Sequence, residues 1–431
     1  MGSGPILHGS RCGESGTGAF AEGRGAGYGA RMTGPFFEPP YPVVRLLPKA
    51  EARAIRHGFP WVYAGEMVMD RRTSSLLPGA FAVLEDAERR PLGVATVNPR
   101  SKIVARVMDP DPGAVIDEGW IAARLSRALA LRERLFDAPF YRLVHAEADG
   151  LPGVVVDRMG DTAVVQPNAA WSDAMLGPLV SALVRVAGVA RVVKNGSGRA
   201  RGLEGLPEQT GMAWGEAPAG PIAVQMNGAT YLADVMGGQK TGLFFDQRPN
   251  HAFAKSVAKG GRVLDVFAHV GGFGLAALAG GAEDALCVDS SAAALSLAEG
   301  GARAMGREVG TRQGDAFATL ERLASEGEIF DLVVCDPPAF APSKGALEAG
   351  LRAYERVARL AAPLVREGGI LGLCSCSHAA DLQKFRAASA RGIGRAGRRG
   401  PVIHTGYAGP DHPVLPQLAE GGYLKALFFR L

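Results

Sequence analysis

Residues 262–279 read RVLDVFAHVGGFGLAALA, and this stretch decides the architecture. A short β-branched run closed by Asp265 turns through Gly271, Gly272 and Gly274 into an alanine-rich helix. Glycine is needed where a ligand presses against the backbone. Gly272 to Ala277 also fits G-x-G-x-x-A, so a dinucleotide site and a tight turn with no ligand both stand open on this motif alone.

The same grammar repeats outward. Buried-type strands ALCVDS (285–290), FDLVVCD (330–336) and GILGLCS (369–375) alternate with helices such as SAAALSLAEGGARAM (291–305) and YERVARLAAPLV (354–365). Such alternation predicts a parallel sheet with crossover helices, whose ligands lie at the carboxyl ends of the strands. An acid stands at each end in turn: Asp265, Asp289, then Asp315 in TRQGDAF, then Asp336. Any one of them suits a helix cap. Together they suit a nucleoside cofactor, with Asp289 accepting from ribose hydroxyls and Asp315 from an adenine amino group.

Asp336-Pro337-Pro338 makes a rigid turn that removes two backbone donors. A carboxylate held there can grip the amino group or a protonated ring nitrogen of a heteroaromatic base. At the next strand end lies CSCSH. In an extended run Cys374 and Cys376 share one face and Ser375 the other. A disulfide between them would be strained, and only His378 is at hand as a metal partner, so no metal site is expected. Cys287, Cys335 and Cys374 read as buried filler. Cys376, just past the strand and facing a base pocket, reads as a nucleophile.

Earlier in the chain, residues 1–42 form a Gly/Pro-rich leader expected to be disordered. Residues 43–113 hold short strands (VVRLLPK, AFAVLED, PLGVATVN, KIVARVMD) whose turns carry Arg71, Arg72, Arg89, Arg90, Arg100 and Lys102, leaving RNA binding open. Residues 114–215 read as an α+β unit that opens with a helix at 117–136, its apolar face made by Trp120, Ile121, Leu125, Leu129, Leu131 and Leu135. Residues 216–431 are the α/β unit. Five cysteines and no secretory signal or long apolar span point to a cytoplasmic protein without a membrane partner. A formal charge of +4 argues only weakly for an acidic partner.

RLLPKAEARAIRHGFPWVYAGE, ADGLPGVVVDRMGD, KTGLFFDQR, VGGFG, CDPPAF, SCS, DHPV and GGYLK occur in an order that resembles the bacterial PUA-containing ribosomal RNA (cytosine-5) methyltransferases of the large subunit. The likeness covers residues 43–431. It implies a PUA-like N-terminal domain, a central α+β domain and a Rossmann-like class I methyltransferase domain. It further implies S-adenosylmethionine as cofactor and large-subunit ribosomal RNA, or its precursor particle, as partner; a homodimer is allowed. Phe245, Asp246, Gln247, Arg248 and Phe267 would join Asp265, Gly271, Gly272, Gly274, Asp289, Asp315 and Asp336 around the cofactor. Pro337, Pro338 and Phe340 would meet the substrate base, and Cys376 with Asp336 would be catalytic. Asp411 and His412 of DHPV, by the same likeness, are either candidates for the base that removes the carbon 5 proton or structural residues. The Gly/Arg-rich run RGIGRAGRRG (391–400) reads either as a mobile basic loop for RNA phosphates or as a solvated connection. The rival readings are RNA methylation at an exocyclic amine or another base position, a non-catalytic RNA-binding ribosome assembly factor and a nicotinamide oxidoreductase.

Overall fold

The computed structural model describes residues 37–237, 242–418 and 421–431. The leader up to residue 36, and Lys240 and Thr241 of KTGLFFDQR, lie outside the described residues. The last residues of the expected leader are packed: Phe37 meets Phe81 edge-on at 5.9 Å, and the buried Tyr41 hydroxyl accepts the Ile116 N–H at 3.0 Å.

The N-terminal unit is a five-stranded sheet in the spatial order Val43–Arg45, Ala80–Glu85, Pro91–Val97, Ile103–Asp109, Trp61–Tyr63. A second five-stranded sheet spans Phe140–His145 to Gly211–Trp214, with helices Glu118–Leu135 and Leu176–Ala187 packed together beside it. Apolar burial crosses both expected boundaries. Phe81 and Val94 share a core with Trp171 of the middle unit, and Met159 and Val164 share one with Phe273 of the last.

One helix face differs from its sequence reading. Trp120, Ile121 and Leu125 are buried as expected, but Leu131 and Leu135 are each 41% exposed. Arg132 takes the inward position instead. Its guanidinium holds both Asp149 oxygens, at 2.6 and 2.7 Å, and the Asp411 carbonyl at 2.9 Å. Apolar spacing cannot foresee that a charge will find a carboxylate inside.

The last unit begins with a hairpin, Ile222–Met226 and Ala229–Ala233, and helix α1 (Arg248–Val257). Its sheet contains β1 (Arg262–Val266), β2 (Asp284–Asp289), β3 (Gly310–Gln313), β4 (Phe330–Cys335), β5 (Val365–Ser375), β6 (Val402–Gly406) and β7 (Lys425–Arg430). The order is β3-β2-β1-β4-β5-β7-β6. Helices α2 (Gly272–Ala279), α3 (Ala292–Ala304), α4 (Ala316–Ser325), α5 (Leu347–Ala361) and α6 (Leu382–Arg395) connect the strands. The expected parallel sheet is found for β1 to β5, whereas β7 runs antiparallel to both β5 and β6. Strand order reverses between β1 and β4, which opens a crevice at their carboxyl ends. Among the described residues no helix is long and apolar enough to cross a membrane.

Candidate active site

The glycine turn is held from inside. Asp265 is fully buried, and its Oδ2 accepts the N–H groups of Phe273 and Gly274 at 3.0 and 2.9 Å. Its Oδ1 is buried with no hydrogen-bond partner, and burial pushes the carboxyl up to about 7. Phe267, His269 and Gly271 all take positive φ (63, 49 and 82°), so the chain coils tightly before α2. Two glycines of the motif are required by protein neighbours. A Cβ on Gly272 would stand 2.7 Å from His251 Nε2, and one on Gly274 would stand 2.7 Å from Cys287 Sγ.

A helical Gly→Ala change alone gains about 1 kcal/mol. A contact that short outweighs it, because Cys287 is fully buried and cannot step aside. Gly274→Ala is expected to lower stability by about 1–3 kcal/mol, and adding Cys287→Ala to restore most of the loss, read by thermal unfolding of the single and double variants.

Asp289 is half-buried, and both its oxygens meet backbone donors, His269 N–H at 2.8 Å and Ser291 N–H at 2.9 Å. It therefore ties the β2 end to the glycine turn. Asp315 is exposed and caps α4 through Ala318 N–H at 2.9 Å. At the end of β4 the Asp336 N–H donates to Val266 O at 3.1 Å, which fastens the D-P-P turn to β1. Pro337 is buried and Pro338 exposed. Phe340 is half-buried against Tyr354, with ring centroids 5.0 Å apart, and touches Phe267 and Phe317 at its edges.

The alternation expected for CSCS is present. Cys374 is buried in the core with Ala426 and Phe428, and burial raises its thiol well above the ordinary range. Ser375 faces the other way, donating to the Tyr354 hydroxyl at 2.9 Å; that hydroxyl also bonds Ser377 Oγ at 2.7 Å, which accepts Ala341 N–H at 2.9 Å. This network fixes the strand end and the loop after D-P-P to one tyrosine. Cys376 is half-buried, its Sγ 4.0 Å from the Pro337 carbonyl. The thiol expected to react therefore lies beside the D-P-P turn, and the thiols expected to be filler are buried.

Of the FFDQR stretch, Phe245 has no exposed surface and packs in the core. Arg248 points to the middle unit, bonding the Phe140 carbonyl and lying 4.2 Å over the Phe136 ring. Gln247 bonds Asn250, its Oε1 accepting at 2.6 Å. Asp246 Oδ2 accepts the Tyr423 hydroxyl at 2.7 Å, while its Oδ1 is buried without a partner. Asn250 Oδ1 and His251 Nδ1 are likewise unpartnered, and burial draws His251 down to about 3.

DHPV and the Gly/Arg-rich run both find protein partners. Asp411 and His412 are buried at the joint with the middle unit: Asp411 Oδ1 meets His412 Nδ1 at 3.0 Å, and its Oδ2 accepts Arg142 N–H at 3.1 Å. These contacts match the structural one of the two readings, with Asp411 tying the last unit to the middle one. The Gly/Arg-rich run is no loose loop. It continues α6 through Arg395; Arg391 and Arg395 both pair with Glu355, and Arg398 donates to the Ala362 and Val365 carbonyls.

Residues 209–430 match the family model for S-adenosylmethionine-dependent methyltransferases, and residues 44–110 match a PUA-like domain. The chain belongs to this methyltransferase family. Curated relatives include the protein called ribosomal RNA large subunit methyltransferase I of Cronobacter sakazakii, 33% identical over 389 residues that cover 89% of this chain and 98% of the relative. That of Erwinia tasmaniensis is 32% identical, covering 90% and 98%. Among solved structures, one assigned as a SAM-dependent methyltransferase from Streptococcus mutans aligns with a TM-score of 0.75 at 18% identity, over 90% of this chain and 100% of that one. The expected α/β fold with a PUA-like N-terminal domain and the expected S-adenosylmethionine cofactor are thereby borne out.

In this methyltransferase the sequence reading overlooked Tyr354, Tyr423 and Lys425. Tyr354 sits mid-helix in α5, where a tyrosine carries no signal of its own. Tyr423 and Lys425 belong to GGYLK, which was legible as a matching stretch but had no assigned role.

Proposed function

We propose that the chain methylates carbon 5 of a cytosine in large-subunit ribosomal RNA, with Cys376 as a transient covalent nucleophile. One observation carries the reading: the half-buried Cys376 thiol lies 4.0 Å from the Pro337 carbonyl, at the sheet edge shared with the glycine turn. The relatives called ribosomal RNA large subunit methyltransferase I support the substrate class. The exposed Arg71, Arg72, Arg89, Arg100 and Lys102 on the PUA-like domain support contact with phosphates.

The residues present fit the cofactor. The Asp265 Oδ1 atom, buried, unpartnered and on a carboxyl raised to about 7, suits an ammonium such as that of a methionine moiety. The unpaired Asp246 Oδ1 is a second buried acceptor near the same turn. Asp289 and Asp315 line the following strand ends, where a nucleoside's hydroxyls and amino group would be met. When bound, S-adenosylmethionine would supply an electrophilic methyl carbon on a sulfonium, with S-adenosylhomocysteine as the leaving group.

The chain's own groups do the activating. Cys376, having lost its proton to solvent, adds through sulfur to carbon 6 of the cytosine, and the electron pair displaced from the 5,6 double bond makes carbon 5 nucleophilic. Asp336 holds the amino and ring-nitrogen edge and stabilises the adduct. Once carbon 5 carries the methyl group its proton passes to solvent, the electron pair of that C–H bond re-forms the 5,6 double bond, and the thiolate is expelled from carbon 6. Phe340, engaged by Tyr354 and Phe317, shapes the wall behind Asp336. Pro338, exposed at the turn, borders the base pocket.

Nucleoside mapping of ribosomal RNA from a deletion strain tests the reading. Loss of one large-subunit 5-methylcytosine, restored by the purified enzyme, is expected. Loss of a methylated exocyclic amine in its place would transfer the assignment to the D-P-P-x-F amino-methyltransferase chemistry, which needs no thiol.

A further inference from the structure

Lys425 is a buried cation that the fold does not explain. It opens β7 and stands opposite Ser375 in the antiparallel register with β5, which brings GGYLK beside SCS. Its side chain is in a residue only 4% exposed, and Nζ donates to the Ser377 carbonyl at 2.7 Å. That acceptor is neutral, and an ammonium carries three donors and a full charge. The lysines Lys194 and Lys384 have carboxylate partners; Lys425 has none among the described residues. Burying a cation without an anion is strongly unfavourable, so the arrangement calls for a negative charge that forms only in the working state.

Two anions act on this ammonium: first the Cys376 thiolate, then Asp381, which is already paired with Lys384. We propose that Lys425 is the counter-cation of the Cys376 thiolate, fixing the Cys376–Ser377 peptide through the Ser377 carbonyl and stabilising the sulfur's negative charge. Lys425 is thus a positioning residue. It stays an ammonium throughout; the thiol proton goes to solvent, and the same charge receives the thiolate when it leaves carbon 6. The inference rests on Cys376 being the nucleophile and adds what ionises it.

The surroundings make such a group necessary. The sulfur is faced by Tyr354 and Tyr423, both pushed up, chiefly by burial and in part by the thiolate. Tyr423 donates to Asp246, and Asp336 closes the neighbouring strand. Half-burial and these two acids disfavour a thiolate. Burial lowers Lys425 to about 8 even with the opposing pull of Cys376 included, so its ammonium form gains when the sulfur ionises.

The test is the pH profile of Cys376 alkylation by iodoacetamide without RNA, followed by mass spectrometry on the peptide that carries Cys376. The wild-type midpoint is expected about one unit or more below the ordinary thiol value of about 8.5. Lys425→Met should raise it by about one to three units, slowing alkylation at neutral pH roughly tenfold or more, whereas Lys425→Arg should keep most of the wild-type profile. A wild-type midpoint at or above the ordinary value overturns the proposal, and this measurement decides even when Lys425→Met does not fold. So does a Lys425→Met profile superimposable on the wild type in protein that still binds S-adenosylmethionine. Methylation assays separate the two readings: an active Cys376→Ala enzyme removes the nucleophile, while an inactive one with an unchanged Lys425→Met profile removes only the role of Lys425.

Discussion

Replacing Cys376 by alanine is expected to abolish RNA methylation, by at least roughly four orders of magnitude, while S-adenosylmethionine binding is retained. Without the sulfur no bond forms to carbon 6, and carbon 5 of cytosine is too weak a nucleophile to attack unaided. The fold should tolerate the change. Cys376 is half-buried, its sulfur makes a long 4.0 Å approach to the Pro337 carbonyl, and the strand end is held by Ser375, Ser377 and Tyr354. Cys374→Ala is the matching control: its thiol is core, so stability falls and chemistry persists. Transfer of labelled methyl to RNA, with cofactor affinity by calorimetry, reads both quantities. Full activity of Cys376→Ala would end the covalent mechanism.

Asp336→Asn is expected to lower kcat by roughly 10²–10⁴-fold, with a much smaller change in KM. Asparagine keeps the side chain's shape and one acceptor oxygen. The backbone bond from residue 336 to Val266 O is untouched, and Pro337 and Pro338 still impose the turn. What disappears is the carboxyl group that can hold a proton on the ring nitrogen, where it neutralises the electron density pushed into the ring as sulfur adds. Because that electron density develops mainly in the transition state, the loss should fall on kcat. Single-turnover kinetics on saturating RNA separates the two, and a rate within threefold of the wild type would show that Asp336 is not gripping the reacting ring.

Much of the site was legible because strands obey a simple geometry. Period-2 alternation separated Cys374 from Ser375 before any coordinates, and acids at successive strand ends marked the carboxyl edge. The reasons behind individual residues were less legible. Gly272 and Gly274 looked like ligand cradles, yet His251 from α1 and Cys287 from β2 forbid side chains there. Phe245 and Arg248 matched a motif by the cofactor, yet one is core and the other reaches Phe136 and Phe140 of the middle unit. Asp411 and His412 matched a motif too, and they hold a domain joint.

By itself the amino-acid sequence determined the alternating α/β plan, the crevice edge and which of the described cysteines escapes burial, since each follows from local periodicity and from turn residues that act within a few positions. Only the tertiary structure decided what stands beside the sulfur. Lys425 reaches Ser377 because β7 returns antiparallel against β5, and Tyr423 meets Asp246 across 177 residues of chain. Such pairings carry no periodic trace: a buried charge is stabilised by whatever distant segment packs against it, and that is settled only when the sheet closes.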